Sequence, residues 1–297
     1  MDIIAAIVYG VLQGLTEFLP ISSSAHLALL PHFTHLKEDP GIFFDLLLHL
    51  GTVVSVLIYY RHKLRQLWPL KQALPLSLIV ATAISGSIMI FLELAVVDYG
   101  RRPAIIALNL AFWGLVFWWF DARAARQEKA GVESVSANTS SSLASVTSSS
   151  SSSLLSSWWS LLKMPLQGKV SYLKTAVVLG VAQAFAAFPG VSRSGITLTF
   201  ARLLKIKKET AVEYSFLMAV PVILGGVLWK SAKMVLHPAA VNSLPPWPYV
   251  VASVLTSCLV GLAAIHGLLW ALRQWGAAIF AIYRVVLAAV VWWVLCR

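Results

Sequence analysis

The sequence predicts an all-α, polytopic membrane protein built from two inverted-topology repeats. Of its 297 residues, 59% are hydrophobic and 12% are charged, and the mean hydropathy is +0.79. Soluble domains have about 25% charged residues, so this composition excludes an ordinary soluble fold. Several apolar runs approach the ~20 residues that a helix needs to cross a bilayer. The prediction of two repeats comes from a stretch that occurs twice.

The repeated stretch starts at Gly10 and again at Gly180. Each copy is an apolar helix that is interrupted by Pro or Gly and followed by a serine-rich turn and a second apolar run. Paired interrupted segments in two halves of a membrane protein indicate a site near the middle of the membrane. An alignment without gaps has identical residues at Gly10/Gly180, Val11/Val181, Gln13/Gln183, Phe18/Phe188, Ser22/Ser192 and Ser24/Ser194.

The first repeat, residues 1–120, begins with a predicted helical hairpin at 3–31. The apolar run ends at Pro20, and the run after the turn is too short to cross the membrane. Such an interruption is tolerated where the freed backbone groups are buried in protein or line a wet cavity. We therefore expect a re-entrant hairpin, followed by three transmembrane helices at 42–60, 75–97 and 103–120.

Residues 121–169 are expected to form a cytoplasmic linker. Its serine-rich, nearly uncharged part is typical of flexible, low-complexity sequence. The second repeat, residues 170–297, has the same order of elements as the first. It has a hairpin at 170–204 and transmembrane helices at 211–229, 249–272 and 277–295.

Basic residues determine the predicted orientation. They cluster at 61–71, 123–129 and 202–208, beside apolar runs, and such clusters are usually cytoplasmic. The second hairpin then begins and ends in the cytoplasm, whereas the first enters from the opposite face. The halves are therefore inverted. Because the net charge of +11 lies in these clusters, it does not indicate a nucleic-acid partner.

Two polar residues of the first helix are candidates for a functional site. Glu17 lies within an apolar helix, where an ionised carboxylate costs ~2.5–3.5 kcal/mol. The alternative is a position close enough to the surface for solvation. Gln13 lies one turn earlier on the same face. Its amide can coordinate or donate but cannot act as a base, and an interhelical hydrogen bond is an equal alternative.

The two turns supply hydroxyl groups, backbone N–H groups and one guanidinium. Arg193 offers a planar fork for phosphate, and the alternative is a loop arginine in water. Glycines let the backbone approach a ligand, whose oxygens hydroxyl groups can bind. Serines after a proline also commonly cap a helix. The candidates are Ser22, Ser23 and Ser24 in the first turn, and Gly190, Ser192, Ser194 and Gly195 in the second.

Three further residues have chemistry of their own. His26 follows the first turn and is a candidate proton shuttle, with a structural histidine as the alternative. Asp45 and His49 lie four residues apart in the span 42–60 and so share a helix face. This spacing suits a metal site, but we favour a hydrogen bond between the two residues.

At these residues the chain resembles the undecaprenyl-diphosphate phosphatases, the bacitracin-resistance protein family. The second family motif, Pro-Gly-x-Ser-Arg-Ser-Gly, is met in full at 189–195. Gln13 replaces the first glutamate of the other motif, which weakens any scheme with two carboxylates. That motif, Glu-x-x-x-Glu with Pro-x-Ser-Ser-x-x-His, is otherwise met by Glu17, Pro20, Ser22, Ser23 and His26.

The resemblance implies removal of the terminal phosphate of undecaprenyl diphosphate, usually with Mg²⁺ or Ca²⁺. It implies an active site at the outer face of the bacterial cytoplasmic (inner) membrane, and recycling of the carrier lipid for cell-wall synthesis, which confers bacitracin resistance. The expected partners are a polyprenyl diphosphate and the bilayer. A homodimer is left open.

Roles follow from the resemblance and from residue chemistry. Arg193 would bind the diphosphate, and Glu17 would hold the cation or act as base. Ser23 would be the nucleophile, activated by His26 or Glu17, with direct attack by water as the alternative. The other substrate-binding candidates are Gln13, Ser22, Ser24, Gly190, Ser192, Ser194 and Gly195.

A transporter or lipid flippase is the rival hypothesis, because inverted repeats with broken helices are common in transporters. The cluster of Ser, Arg, His and Glu favours a reaction over transport. A structural scaffold would leave the intramembrane Glu17 and Arg193 unexplained. Phosphate release in detergent separates these hypotheses, since transport needs a sealed vesicle.

Overall fold

The regular elements of the structure, a computed structural model, are all helical in the residues it describes, which are 2–34, 41–66, 73–140, 172–236 and 245–297. A π-helical turn at Val96–Gly100 precedes the helix that begins at Pro103, and a 3₁₀ turn at Phe185–Ala187 follows the helix that ends at Ala184. The helices in these ranges are α1 (Ile3–Phe18), α2 (Ser23–Phe33), α3 (Gly41–Tyr59), α4 (Arg61–Gln66), α5 (Ala73–Ala95), α6 (Pro103–Ser140), α7 (Tyr172–Ala184), α8 (Arg193–Leu203), α9 (Lys208–Leu236), α10 (Trp247–Trp275) and α11 (Ala278–Leu295).

Helix length and surface character identify a polytopic membrane protein. Within the described residues, four stretches are long and apolar enough to cross a bilayer: Pro103–Gln127, Lys208–Lys233, Trp247–Leu272 and Ala278–Leu295. Large apolar side chains also point outward, and Phe91 is 86% exposed. Helices α3 and α5 contain shorter apolar stretches of 10–17 residues, so the predicted spans at 42–60 and 75–97 stay predictions.

Two helix–turn–helix units lie where the sequence predicts the hairpins. Helix α1 is capped by Asp2, whose Oδ1 accepts a hydrogen bond from the N–H of Ala5 at 2.8 Å. It ends at Phe18 because Leu19 is extended before Pro20. The second unit consists of α7, the 3₁₀ turn and α8. In both units the second helix has 11 residues, too few to cross the bilayer.

Glycines let the first helix of each unit lie directly against a long helix of the other half. A Cβ at Gly10 would lie 2.5 Å from the backbone O of Ser253 on α10, and one at Gly180 would lie 2.7 Å from the backbone O of Ala81 on α5. Helix α1 therefore packs closely on α10, and α7 packs on α5. Helix α3 packs on α9 and α10, and α6 pairs with α11.

The second helix of each helix–turn–helix unit is largely buried within this bundle. Helix α2 contributes Ala25, Ala28 and Leu29 to a cluster with residues of α6 and α11. At the end of α1, the ring of Phe18 lies edge-on to Phe216 at 5.0 Å between centroids. The serine-rich turns, which connect the helices of each unit, consequently lie in the interior of the protein.

Helix α6 is longer than the sequence predicted. The span was expected to end at residue 120, with the linker beginning at 121, but the helix continues through Ser140. Residues 122–130 are mostly Ala, Arg, Gln, Glu and Lys, which are strong helix formers in water as well as at a membrane surface. Residues 131–140, which the sequence analysis includes in the linker, are thus helical. Residues 141–171 lie outside the described residues, and the division into repeats stays a prediction.

Candidate active site

The two serine-rich turns meet in the centre of the bundle. The N–H of Gly190 donates to the Oγ of Ser22 at 3.0 Å, and the Oγ of Ser194 donates to the backbone O of Leu19 at 3.2 Å. Ser22 and Ser192 have φ angles of 74° and 72°. Positive φ is costly for residues other than glycine and is concentrated at functional sites. The same uncommon backbone conformation thus occurs at matching positions of both turns.

Glu17 is the residue on which the site converges. Its Oε1 accepts a hydrogen bond from Nη2 of Arg193 at 2.9 Å. Its Oε2 accepts from the Oγ of Ser23 at 2.6 Å and from Nε2 of Gln13 at 2.9 Å, and lies 3.1 Å from Nε2 of His49. Glu17 is only 5% exposed, so the alternative of a solvated surface residue is excluded. These partners compensate the loss of water around the carboxylate.

Arg193 is held by the helix that it begins. Ser192 is the N-cap of α8, and its Oγ accepts from the N–H of Gly195 at 3.2 Å. The guanidinium donates from Nη1 to the backbone O of Ser215 at 2.9 Å and from Nη2 to Glu17. Its side chain is 12% exposed, which excludes a loop arginine in water. The fork therefore has a fixed direction beside the positive end of α8.

Arg284 holds the second turn through hydrogen bonds to its backbone. Its Nη2 donates to the backbone O of Gly190 at 2.7 Å and to that of Val191 at 3.0 Å. Gly190 has a φ of +96°, and a Cβ there would lie 2.7 Å from the backbone O of Ile106. Only glycine suits this position. Arg284 is fully buried, and its guanidinium fixes the position of the turn's backbone.

The two ring nitrogens of His26 contact groups other than the hydroxyl of Ser23. Its Nδ1 lies 2.7 Å from the backbone O of Ser22, and its Nε2 lies 2.7 Å from the hydroxyl of Tyr283. The two rings are stacked, with 9° between their planes. Both ring nitrogens are therefore already engaged. The role of proton shuttle stays a prediction.

The other predicted site residues lie around the same point. Gln13 is fully buried and directed at Glu17. The hydroxyls of Ser22 and Ser24 lie 3.3 Å apart, and those of Ser192 and Ser194 lie 3.4 Å apart. The fold thus brings together polar groups that are far apart in sequence.

Sequence reasoning did not place His49 beside Glu17, and it missed Arg101. Nδ1 of His49 lies 2.6 Å from the backbone O of Asp45, whereas the Asp45 carboxylate forms an ion pair with Arg101 at 2.7 Å. The predicted hydrogen bond between Asp45 and His49 therefore involves the backbone. Helix periodicity identified their common face. It did not identify α1 and the start of α6 as the neighbours of that face.

A polar cavity and an apolar cavity adjoin each other at the site. The polar cavity has a volume of about 220 Å³ and the apolar one about 600 Å³. The apolar cavity lies between α3, α5 and α9. The residues that line both are Leu46, Met89, Val96, Ala187, Val222 and Gly226, and the polar groups of the first are those of Glu17, Ser22, Ser23, Ser24, Asp45, His49, Arg101, Ser192 and Arg193.

The side chains present do not fit a divalent cation at Glu17. Mg²⁺ and Ca²⁺ prefer several oxygen ligands, but the Glu17 carboxylate already contacts Gln13, Ser23, His49 and Arg193. A cation there would have to displace one of these groups. Across the described ranges, no group of three or more His, Cys, Asp or Glu side chains is arranged to hold a metal ion.

Comparisons with known proteins find relatives over nearly the whole chain. The family model described as bacitracin resistance protein BacA matches residues 6–290, which include both turns and both cavities. The undecaprenyl-diphosphatase of Moorella thermoacetica is 35% identical over 98% of this chain and 97% of its own. That of Caldicellulosiruptor bescii is 35% identical with the same coverage. That of Marinobacter nauticus is 33% identical over 99% and 100%.

Proposed function

Because the chain belongs to the bacitracin resistance protein BacA family, we propose that it is an integral-membrane phosphatase. It hydrolyses undecaprenyl diphosphate to undecaprenyl phosphate and phosphate. This reaction recycles the carrier lipid for cell-wall synthesis and confers bacitracin resistance. The observation that carries the proposal is the buried carboxylate of Glu17, which joins a serine hydroxyl and a guanidinium beside one cavity.

Arg193 binds the terminal phosphoryl group. A guanidinium forms two parallel, charge-assisted bonds to phosphate, and the first turn of α8 adds its N–H groups and positive dipole end. The hydroxyls of Ser192 and Ser194 lie next to the same helix end. Phosphoryl transfer depends mainly on positioning and charge stabilisation, so this turn supplies the principal catalytic contribution.

Ser23 is the nucleophile that the geometry favours. Its Oγ donates to Glu17 at 2.6 Å, within the range for a general base. Glu17 takes the proton, Ser23 Oγ bonds to the terminal phosphorus, and the bridging P–O bond breaks to release undecaprenyl phosphate. Water then hydrolyses the phosphoserine. Because the ring nitrogens of His26 are engaged elsewhere, Glu17 is the better base. Attack by water with the same base is the alternative.

The adjoining apolar cavity supports an amphiphilic substrate. It has a volume of about 600 Å³, within the range of ligand pockets. It adjoins the polar cavity, so a diphosphate and the first part of an isoprenoid chain can be bound together. A soluble phosphate ester would leave the larger cavity unused.

The architecture that we propose consists of two inverted repeats, each with a re-entrant hairpin and three spans. Helix packing supports it, because contacts in one repeat are matched in the other. Helix α1 packs on α10, and its equivalent α7 packs on α5, the equivalent of α10. The equivalent helices α3 and α9 pack on each other, as do α6 and α11. The matching φ angles of Ser22 and Ser192 also support it. Basic clusters support an outward-facing site in the inner membrane. A homodimer stays a prediction, tested by the mass of the detergent complex.

A phosphate-release assay tests the proposed function against the transporter or flippase hypothesis. Purified protein in detergent is given undecaprenyl diphosphate, and Glu17→Gln is the matched variant, since it retains the shape of the side chain but loses the base. We expect release by the wild type and loss of at least ~10²-fold in the variant. Wild-type protein that is folded and releases no phosphate would contradict the proposal.

A further inference from the structure

A second arginine lines the same polar cavity as Arg193. Arg101 lies just before α6, and its Nη1 donates to Oδ2 of Asp45 at 2.7 Å. Asp45 is one helical turn before His49 on α3, and His49 contacts Glu17. Asp45 and His49 are about 6 Å apart along α3 by the rise of a helix, so the cavity has two arginine–carboxylate pairs, Arg193–Glu17 and Arg101–Asp45, that are linked through α3.

Such a second pair is not explained by stability. A mostly buried ion pair commonly contributes no more than apolar residues of the same volume, because both charges lose water. The side chains of Arg101 and Asp45 are 18% and 10% exposed, and both line the cavity. A diphosphate carries two phosphoryl groups and more negative charge than one guanidinium can neutralise. A second guanidinium supplies charge-assisted hydrogen-bond donors for the second phosphoryl group.

The surroundings distinguish the two arginines. Arg193 shares Glu17 with the nucleophile candidate Ser23. Arg101 instead follows the turn that contains Val96, and Asp45 precedes Leu46. Both Val96 and Leu46 line the apolar cavity as well as the polar one. The Arg101–Asp45 pair is thus flanked in the chain by residues that reach the apolar cavity, which we take as the lipid side of the site.

We propose that Arg101 is a second phosphate-binding residue, which binds the phosphoryl group that stays on the lipid, while Arg193 binds the one that is cleaved. Asp45 holds the guanidinium of Arg101 in place. This assignment rests on the proposed function. It explains how the site distinguishes a diphosphate from a monophosphate, because only a diphosphate can contact both arginines at once.

Inhibition by inorganic anions tests the assignment. Pyrophosphate can contact both arginines, whereas orthophosphate needs only Arg193. Conversion of the lipid is followed by chromatography with each anion present. For Arg101→Ala we expect the KM for undecaprenyl diphosphate and the inhibition constant for pyrophosphate to rise about tenfold, the scale of one charge-assisted hydrogen bond. The inhibition constant for orthophosphate should stay within about twofold, and kcat within a few-fold.

Arg102→Ala is the matched control. This substitution removes the same charge at the neighbouring position. The side chain of Arg102 is exposed, and its guanidinium lies 4.8 Å from the ring centroid of Tyr99. Its constants should equal those of the wild type. If Arg101→Ala does not fold, the same constants are measured for Arg101→Gln, because glutamine can still donate a hydrogen bond to Asp45. Wild-type KM and pyrophosphate inhibition in the Arg101 variant, or equal changes in both variants, would overturn the assignment.

The proposed function can fail separately from this assignment. A wild type that converts no lipid in detergent would overturn the phosphatase, and pyrophosphate affinity would then be measured by calorimetry on the wild type and Arg101→Ala. About tenfold weaker binding to the variant would still support a two-arginine anion site. Equal affinity would overturn it.

Discussion

Nη2 of Arg193 donates to Oε1 of Glu17 across 2.9 Å, which joins two residues 176 positions apart in the sequence. The bond connects the end of α1 with the start of α8, and therefore the two serine-rich turns. Each partner lowers the cost of burying the other's charge. A phosphate entering the cavity would compete with Glu17 for the guanidinium, which would free the carboxylate to accept a proton from Ser23.

Arg193→Ala is expected to lower turnover by ~10²-fold or more, the scale for removing one preorganised donor in a transition state. Arg193→Lys should recover only part of this loss, because lysine has the charge but lacks the planar fork. Turnover is measured by phosphate release, and the melting temperature of each variant is compared with the wild type. Near-normal turnover in a folded Arg193→Ala protein would contradict the assignment of this turn as the phosphate site.

Ser23→Ala distinguishes nucleophilic attack by Ser23 from direct attack by water. If Ser23 is the nucleophile, its loss should lower turnover by ~10²-fold or more, comparable to the loss of Arg193. If water attacks directly, the decrease should be no more than several-fold. Trapping of a phosphoserine with rapid acid quench is the second measurement. Ser24→Ala is the comparison: its hydroxyl also lies in the cavity but contacts Ser22, not Glu17, so its decrease should be smaller than that of Ser23→Ala.

The repeated stretch made the central parts of the fold and site predictable. It identified both helix–turn–helix units and nearly all polar groups that meet at Glu17, because chain interruptions and intramembrane polar residues are visible in a single sequence. The contact of His49 with Glu17 and the presence of Arg101 in the site were missed for one physical reason. Their positions relative to Glu17 depend on how α3 and the start of α6 pack against other helices, which no local pattern contains.

Helix ends were harder to predict than helix positions. The expected end of the third span, at residue 120, rested on hydropathy, which reports the membrane boundary. The helix itself continues to Ser140 because backbone hydrogen bonding does not need an apolar environment. Hydropathy and helicity are therefore separate properties.

Chelation is expected to stop phosphate release, and Mg²⁺ or Ca²⁺ to restore it, as the family resemblance implies. Because a cation at Glu17 would have to displace a group already bound there, the protein should keep its melting temperature in EDTA. Thermal unfolding and activity are measured on the same chelated sample. A melting temperature that falls by several degrees would instead indicate a cation bound to the protein before substrate arrives.

Labelling of single cysteines tests the orientation. The background lacks Cys258 and Cys296, which are free thiols. Thr34 and Arg126 are both exposed, and the basic clusters predict that Thr34 is outside and Arg126 in the cytoplasm. An impermeant maleimide added to intact cells should therefore modify Thr34→Cys but not Arg126→Cys. The reverse pattern would contradict the outward-facing site.

Gly225→Leu is expected to weaken binding of the long-chain substrate by blocking the apolar cavity. Gly225 lines that cavity, and nothing lies within 4 Å of a Cβ added there, so a larger side chain can extend from this position into the cavity. We expect a several-fold higher KM for undecaprenyl diphosphate and an unchanged KM for a short-chain isoprenoid diphosphate. Gly267→Leu on α10 is the matched control, because it has the same free space outside the cavity. Equal KM values for the two variants with the long-chain substrate would show that the isoprenoid chain lies elsewhere.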